Sequence, residues 1–193
     1  RPPWPPRGAP RSACGAMARV LLLPAVLAAA AGTAAAAACP GSSALVHAKC
    51  EVRAQATASC SDVKAEMLAR VRGQPGAWVD PHNAGTYTLL QEAEAELHLK
   101  RLTGDKKYTD RMILSLADSA GGCLITGCSE SQVNSFLDFS TNYCNLRMLY
   151  CGSKDGCTPV AHDFEVSESS VQGSKGAGTS RAACLKARAG ASA

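Results

Sequence analysis

Glu96-Leu97-His98-Leu99-Lys100, then Thr103-Gly104-Asp105-Lys106, then Arg111-Met112-Ile113-Leu114-Ser115-Leu116 is the stretch that decides the fold. Leu97 and Leu99 alternate with polar neighbours, as do Met112, Leu114 and Leu116 with Arg111, Ile113 and Ser115. A period of two places one set on each face of a strand, and the Gly-Asp turn between the runs predicts an antiparallel pair. Just upstream, Tyr87 and Leu89 alternate with Thr86 and Thr88, adding a strand, and Ser119-Ala120-Gly121-Gly122 turns the chain into another at Cys123–Thr126. Val133–Phe139 reads as a further strand, and Tyr143–Tyr150 as either a strand or a helix that carries Cys144 and Cys151 on one side.

Upstream of the sheet the period changes. Ser59 offers an N-cap with Asp62 three residues on, Val63, Met67, Leu68 and Val71 share one helical face, and Gly73 is a C-terminal stop. The Ala-rich segment Ala44–Ala58 reads as an earlier helix. The expected fold is therefore α+β, an N-terminal helix or helix pair packed on an antiparallel β-meander, with a small β-barrel and outer helix as the alternative.

The chain begins with sequence of another kind. Residues 1–16 are rich in Pro and Arg without periodicity, which suggests translated upstream sequence. Residues 17–38 open with Met17-Ala-Arg19, run through an apolar segment and end in small residues, matching a signal peptide cleaved before Ala38 or Cys39. That apolar segment is too short and too alanine-rich for a stable membrane span. Residues 39–164 form the expected globular domain. Residues 165–193, rich in Ser, Gly and Ala, read as a flexible tail.

Removing the first segments changes the charge argument. The formal net charge is +4, and Arg1, Arg7, Arg11 and Arg19 account for all of it. The remainder is neutral, with scattered charges and no basic patch, so nucleic acid is not an expected partner.

Of the 10 cysteines, Cys14 precedes Met17, Cys184 lies in the tail, and Cys39, Cys50, Cys60, Cys123, Cys128, Cys144, Cys151 and Cys157 fall within the domain. Export and cysteine density together predict a disulfide framework in a secreted or extracellular protein, the secretory-pathway lumen being a further possibility. Three of the eight precede a long cysteine-free stretch and five follow it. If all eight pair among themselves, at least one bridge must join the two groups. Cys184 would then be unpaired, paired between chains or removed. The spacings are looser than those of structural zinc sites and no His accompanies them, so no metal or other cofactor is expected.

No catalytic set stands out. His82, within Asp80-Pro81-His82-Asn83, sits in turn chemistry, and no nucleophile motif or phosphate loop is present. His98 and Arg111 lie on the polar sheet face, and Phe136 falls on the polar side of its expected strand, so these three form the candidate ligand platform. The leading expectation is a binding domain for an extracellular protein, glycan or small molecule. A small hydrolase or isomerase using His82 or His98 is the alternative from another class.

The segments Asp80–Tyr87, Thr103–Asp110, Cys128–Val133 and Asp138–Cys144 resemble an uncharacterised family of small secreted cysteine-rich proteins of unicellular algae. The resemblance spans Cys60–Cys157 and implies an exported domain, without an assigned activity or catalytic residues. Helix followed by meander also resembles cystatin-like domains, and Gln132-Val133 resembles the start of their inhibitory hairpin, which would imply a peptidase inhibitor. Asn134-Ser135-Phe136 departs from that motif, and the helix lies further upstream than in cystatins.

Overall fold

The computed structural model describes residues 38–186 together with Arg1 and Pro3. Residues 38–186 lie within one compact unit, and the expected signal peptide and upstream segment lie outside the described residues apart from Ala38, Arg1 and Pro3.

The chain runs β1 (Lys49–Ala56), α1 (Cys60–Arg72), β2 (Thr86–Glu92), β3 (Glu96–Leu102), β4 (Thr109–Ser119), β5 (Gly122–Ser131), α2 (Thr141–Tyr150), β6 (Val166–Gly173) and the short α3 (Arg181–Cys184). The strands make an open antiparallel sheet in the order β2-β3-β4-β5-β1-β6. It has two free edges, so it is not a closed barrel. The meander read from sequence is β2 to β5, joined by short turns. The helix at Cys60–Arg72 starts where expected, with the Ser59 side chain accepting from the Asp62 N–H, and Gly73 ends it.

Three readings of the sequence are corrected. The Ala-rich stretch read as a first helix contains β1, a central strand paired to β5 on one side and β6 on the other. Cys50, Val52, Ala54 and Ala56 alternate inward, and small side chains let the covering helices approach the sheet closely. Val133–Phe139 is a loop: Phe139 and Ser140 both have left-handed backbone (φ 51° and 70°), which takes the chain out of the sheet and into α2. The supposed tail supplies β6 and α3. Tyr143–Tyr150 takes the helical alternative.

The core lies between the inner sheet face and the helices. Leu97, Leu99, Met112, Leu114, Leu116 and Ile125 meet Val63, Met67 and Val71 of α1 and Leu146 and Leu149 of α2. Four disulfides tie the parts together: Cys39–Cys128, Cys60–Cys123, Cys144–Cys184 and Cys151–Cys157. Two of them join the N-terminal cysteine group to the C-terminal one. The eight domain cysteines are not fully paired, however, because Cys50 is a buried free thiol and Cys184 takes its place. Inward-facing Cys50 is spent on the core, whereas Cys184 is carried to Cys144 by α3.

Candidate functional site

The residues proposed from sequence do not converge. His98 and Arg111 lie on the outer sheet face, on adjacent strands but not opposite each other: Arg111 faces Lys100 and His98 faces Ile113. The His98 Nε2 contacts Glu96 Oε1 at 2.5 Å, and Ser115 Oγ donates to Glu96 Oε2 at 3.2 Å. Serine and histidine thus both spend their bond on one carboxylate. A nucleophile activated by His98 would need the serine to donate to the ring instead. The Glu96 carboxyl is held below its usual range, chiefly by the His98 contact.

Phe136 is elsewhere. Its ring packs against Gly176 in the connection from β6 to α3, at the opposite side of the sheet from β3. Gln132 and Val133 lead from β5 to α2 and belong to no hairpin.

His82 is buried, with Nδ1 at 3.0 Å from the Ala183 carbonyl and Nε2 at 3.2 Å from the Thr141 hydroxyl. These ring partners come from α3 and α2, and the Asp80 carboxylate serves the backbone. It accepts from the His82 backbone N–H and from Arg101. The Asp-Pro-His-Asn turn wraps the Arg101 guanidinium, which also donates to the His82 carbonyl and to Asn83 Oδ1, and a Cβ on Gly85 would overlap it. The histidine fastens the C-terminal segment to the domain.

Arg101 belongs to a polar row that crosses four strands beneath α2: Tyr87, Arg101, Asp110 and Ser131 are successive register partners. Asn145 of α2 donates to Asp110 Oδ2 and Ser129 Oγ, while the Tyr87 hydroxyl donates to the Asn145 carbonyl. Burial raises the Asp110 carboxyl above its usual range, and donation from Ser131 and Asn145 offsets only part of that. Among the described residues, Arg101 Nη1 and Asn145 Oδ1 are buried without a partner. The row holds the helix at one height above the sheet.

Metal ligation has one geometric candidate among the described residues, Cys39 with Glu51 and Cys128. Both sulfurs are consumed in a disulfide, which leaves a single carboxylate. A cleft of about 590 Å³ lies between the start of α1 and the β2–β3 hairpin. Lys64 crosses it and is already bonded to the Ala93 and Glu94 carbonyls.

The feature that sequence reading missed is the loop Ser135-Phe136-Leu137-Asp138-Phe139. Phe136, Leu137 and Phe139 are 50%, 63% and 63% exposed, and Asp138 between them is 7% exposed. Asp138 Oδ1 accepts from the N–H groups of Ser140 and Gly178, and Oδ2 from the N–H and side-chain amide of Asn142. One buried carboxylate therefore caps α2, ties down the β6–α3 connection and fixes the loop with its apolar side chains outward. The Ser135 N–H donates to the Val46 carbonyl at 2.9 Å, bringing a second exposed apolar pair, Leu45 and Val46, alongside. The signal in the sequence is three large apolar residues around one aspartate. Read as a strand, that run gave Phe136 a sheet face and hid Leu137 and Phe139. No family model, curated protein or solved structure matches this chain, so the loop and its supports are what a reading of function has to stand on.

Proposed function

We propose that this is an exported, disulfide-stabilised interaction domain whose contact surface is the Phe136–Phe139 loop with Leu45 and Val46 beside it. The observation that carries the reading is the pairing of exposure with fixation. Large apolar side chains are ordinarily withdrawn from water, and an exposed cluster of them marks an interaction surface. Here left-handed backbone at two consecutive non-glycine residues and four hydrogen bonds to Asp138 hold the cluster outward. A surface ordered before contact loses little entropy on binding.

Export is supported by the four disulfides, which fit an extracellular or secretory protein, and by the signal-like segment. No helix among the described residues is long and apolar enough to cross a membrane. The binding surface thus moves from the sheet face, where Arg111 and His98 lie, to the loop that carries Phe136. The hydrolase alternative is not favoured, since His82 is committed to Ala183 and Thr141.

Hydroxyl-radical footprinting of the mature protein, alone and in the extracellular fluid of its source, tests this. Phe136, Leu137 and Phe139 should be oxidised readily in the purified protein and at least threefold more slowly in the fluid, with Tyr108 on the β3–β4 side unchanged. Equal oxidation in both settings would sink the proposal.

A further inference from the structure

We propose that the pinned loop is a membrane-docking element that seats the domain on an anionic lipid surface, an inference that rests on the loop being the contact surface. Three segments meet at this end of the molecule: 38–48 and 132–140 are joined by the Ser135 to Val46 bond, and 174–180 packs on Phe136 and Asp138 through Gly176 and Gly178. Across all three, the only carboxylate is Asp138, which is turned inward and bonded by four donors. Leu45 and Val46 are 95% and 52% exposed, so the loop is not a solitary tip.

That arrangement answers the demands of an apolar phase. A charge entering hydrocarbon is costly, and the one acid in the loop has been withdrawn and satisfied. What remains at the tip is Phe136, Leu137 and Phe139. The exposed charge left in these segments is one cation, Lys175 next to Gly176; Lys49 and Arg181, just beyond the segment ends, are paired with Glu51 and Glu168. Of the nearby acids, Glu130 and Glu168 are buried against His47 and against Arg147 and Arg181, and Glu51 is paired with Lys49. An apolar tip with a lysine beside it and no exposed carboxylate suits an interfacial anchor, in which insertion supplies the hold and a basic residue favours anionic headgroups. A protein groove would have to match the fixed shape of the loop, whereas a fluid lipid surface conforms to it.

Co-sedimentation of the mature protein with phosphatidylcholine vesicles, with and without phosphatidylserine, is the test. The protein should pellet with the phosphatidylserine vesicles and less with phosphatidylcholine alone. Leu137→Glu should weaken partition about tenfold or more, and Lys175→Glu about fivefold, with unchanged thermal melting. If Leu137→Glu alters folding, Leu137→Ala replaces it, with an expected loss of about threefold or more. A wild-type protein that stays in the supernatant with both compositions overturns the inference, as does equal partition of wild type and folded Leu137→Glu. Indifference to phosphatidylserine overturns the anionic assignment. Footprinting in vesicle-depleted fluid separates the two proposals: protection there without vesicle binding leaves the loop a contact surface for a protein, and absence of protection in fluid and on vesicles alike removes both readings.

Discussion

Glu168 shows how far one side chain can be committed. It lies on the inner side of β6 and accepts from the Tyr143 and Tyr150 hydroxyls, each at 2.8 Å, from Arg147 and from Arg181. Burial alone would raise its carboxyl, but the tyrosine hydrogen bonds and the Arg147 charge more than offset it and leave it below the usual range. Glu66 is held low in the same sense: burial is outweighed by backbone N–H donors from Val160, Ala161 and His162 together with Arg70. A carboxyl depressed in the folded state contributes stability that is present above its unfolded value, about 4.3 for Glu, and is lost as pH falls through the folded value. Asp110 acts in the opposite sense, because its raised carboxyl favours the neutral form in the fold. Stability measured by urea denaturation should therefore fall on acidification below about pH 4.3, and Glu168→Gln should lower stability at neutral pH while making that acid limb shallower. An unchanged acid limb in the variant would show that Glu168 is not among the groups that set it.

At the scale of elements, the segment after β6 is the one whose role departs most from its composition. Ser, Gly and Ala dominate it, yet it is fastened at four kinds of contact. Gly178 donates to Asp138, Ser180 to the Ser140 hydroxyl, Ala183 accepts from the His82 ring, and Cys184 is bonded to Cys144. The Cys144–Cys184 crosslink spans 40 residues, for which chain entropy gives about 3–4 kcal/mol less any native strain. Replacing both cysteines by serine should cost about 2–4 kcal/mol and make residues 174–184 the first site of limited proteolysis. Because Gly176 and Gly178 support Phe136 and Asp138, the same variant should show raised amide exchange at 136–140. Slow exchange there would mean that the loop holds its shape without the strap.

For the whole molecule, the crosslinks divide the labour. Cys39–Cys128 fixes the N-terminal segment across the outer face of β5, Cys60–Cys123 fixes the start of α1 to the far end of the same strand, and Cys151–Cys157 closes the short loop after α2. Cys50 sits in the core between them, where burial, reinforced by the negative charges of Asp138 and Glu168, pushes its thiol up to about 12. A thiol held that high has almost no thiolate at neutral pH and is inert as a nucleophile. Iodoacetamide should therefore leave Cys50 unmodified in the native protein and alkylate it as the one thiol between Cys39 and Cys184 after denaturation without reductant. Native labelling at Cys50, or peptide mapping that recovers Cys50 in a bridge, would contradict the arrangement.

Local signals sufficed for α1 and for β2 through β4, and for the first half of β5. Helix α1 has its own cap, stop and apolar stripe, and β2 to β4 have a period of two with turns between, so each is determined by neighbours a few residues apart. The α+β class was legible for the same reason; the bridge between the two cysteine groups was expected only from full pairing of the eight domain cysteines, and it forms although Cys50 stays free and Cys184 pairs instead. The sheet's two other strands were not. Alanine in β1 carries helix propensity that is outweighed by pairing to β5 and β6 on both sides, and β6 looks like a polar tail because its inward glutamate is acceptable only where two tyrosines and two arginines from α2 and α3 meet it. The candidate site was least legible of all. Which side chains stand exposed at 136–139 is decided by where Asp138 points, and Asp138 points inward because donors from α2 and from the chain beyond β6 arrive there together. Sequence determined the elements whose partners lie within them or in the next strand along; tertiary structure decided those whose hydrogen-bond partners come from distant parts of the chain.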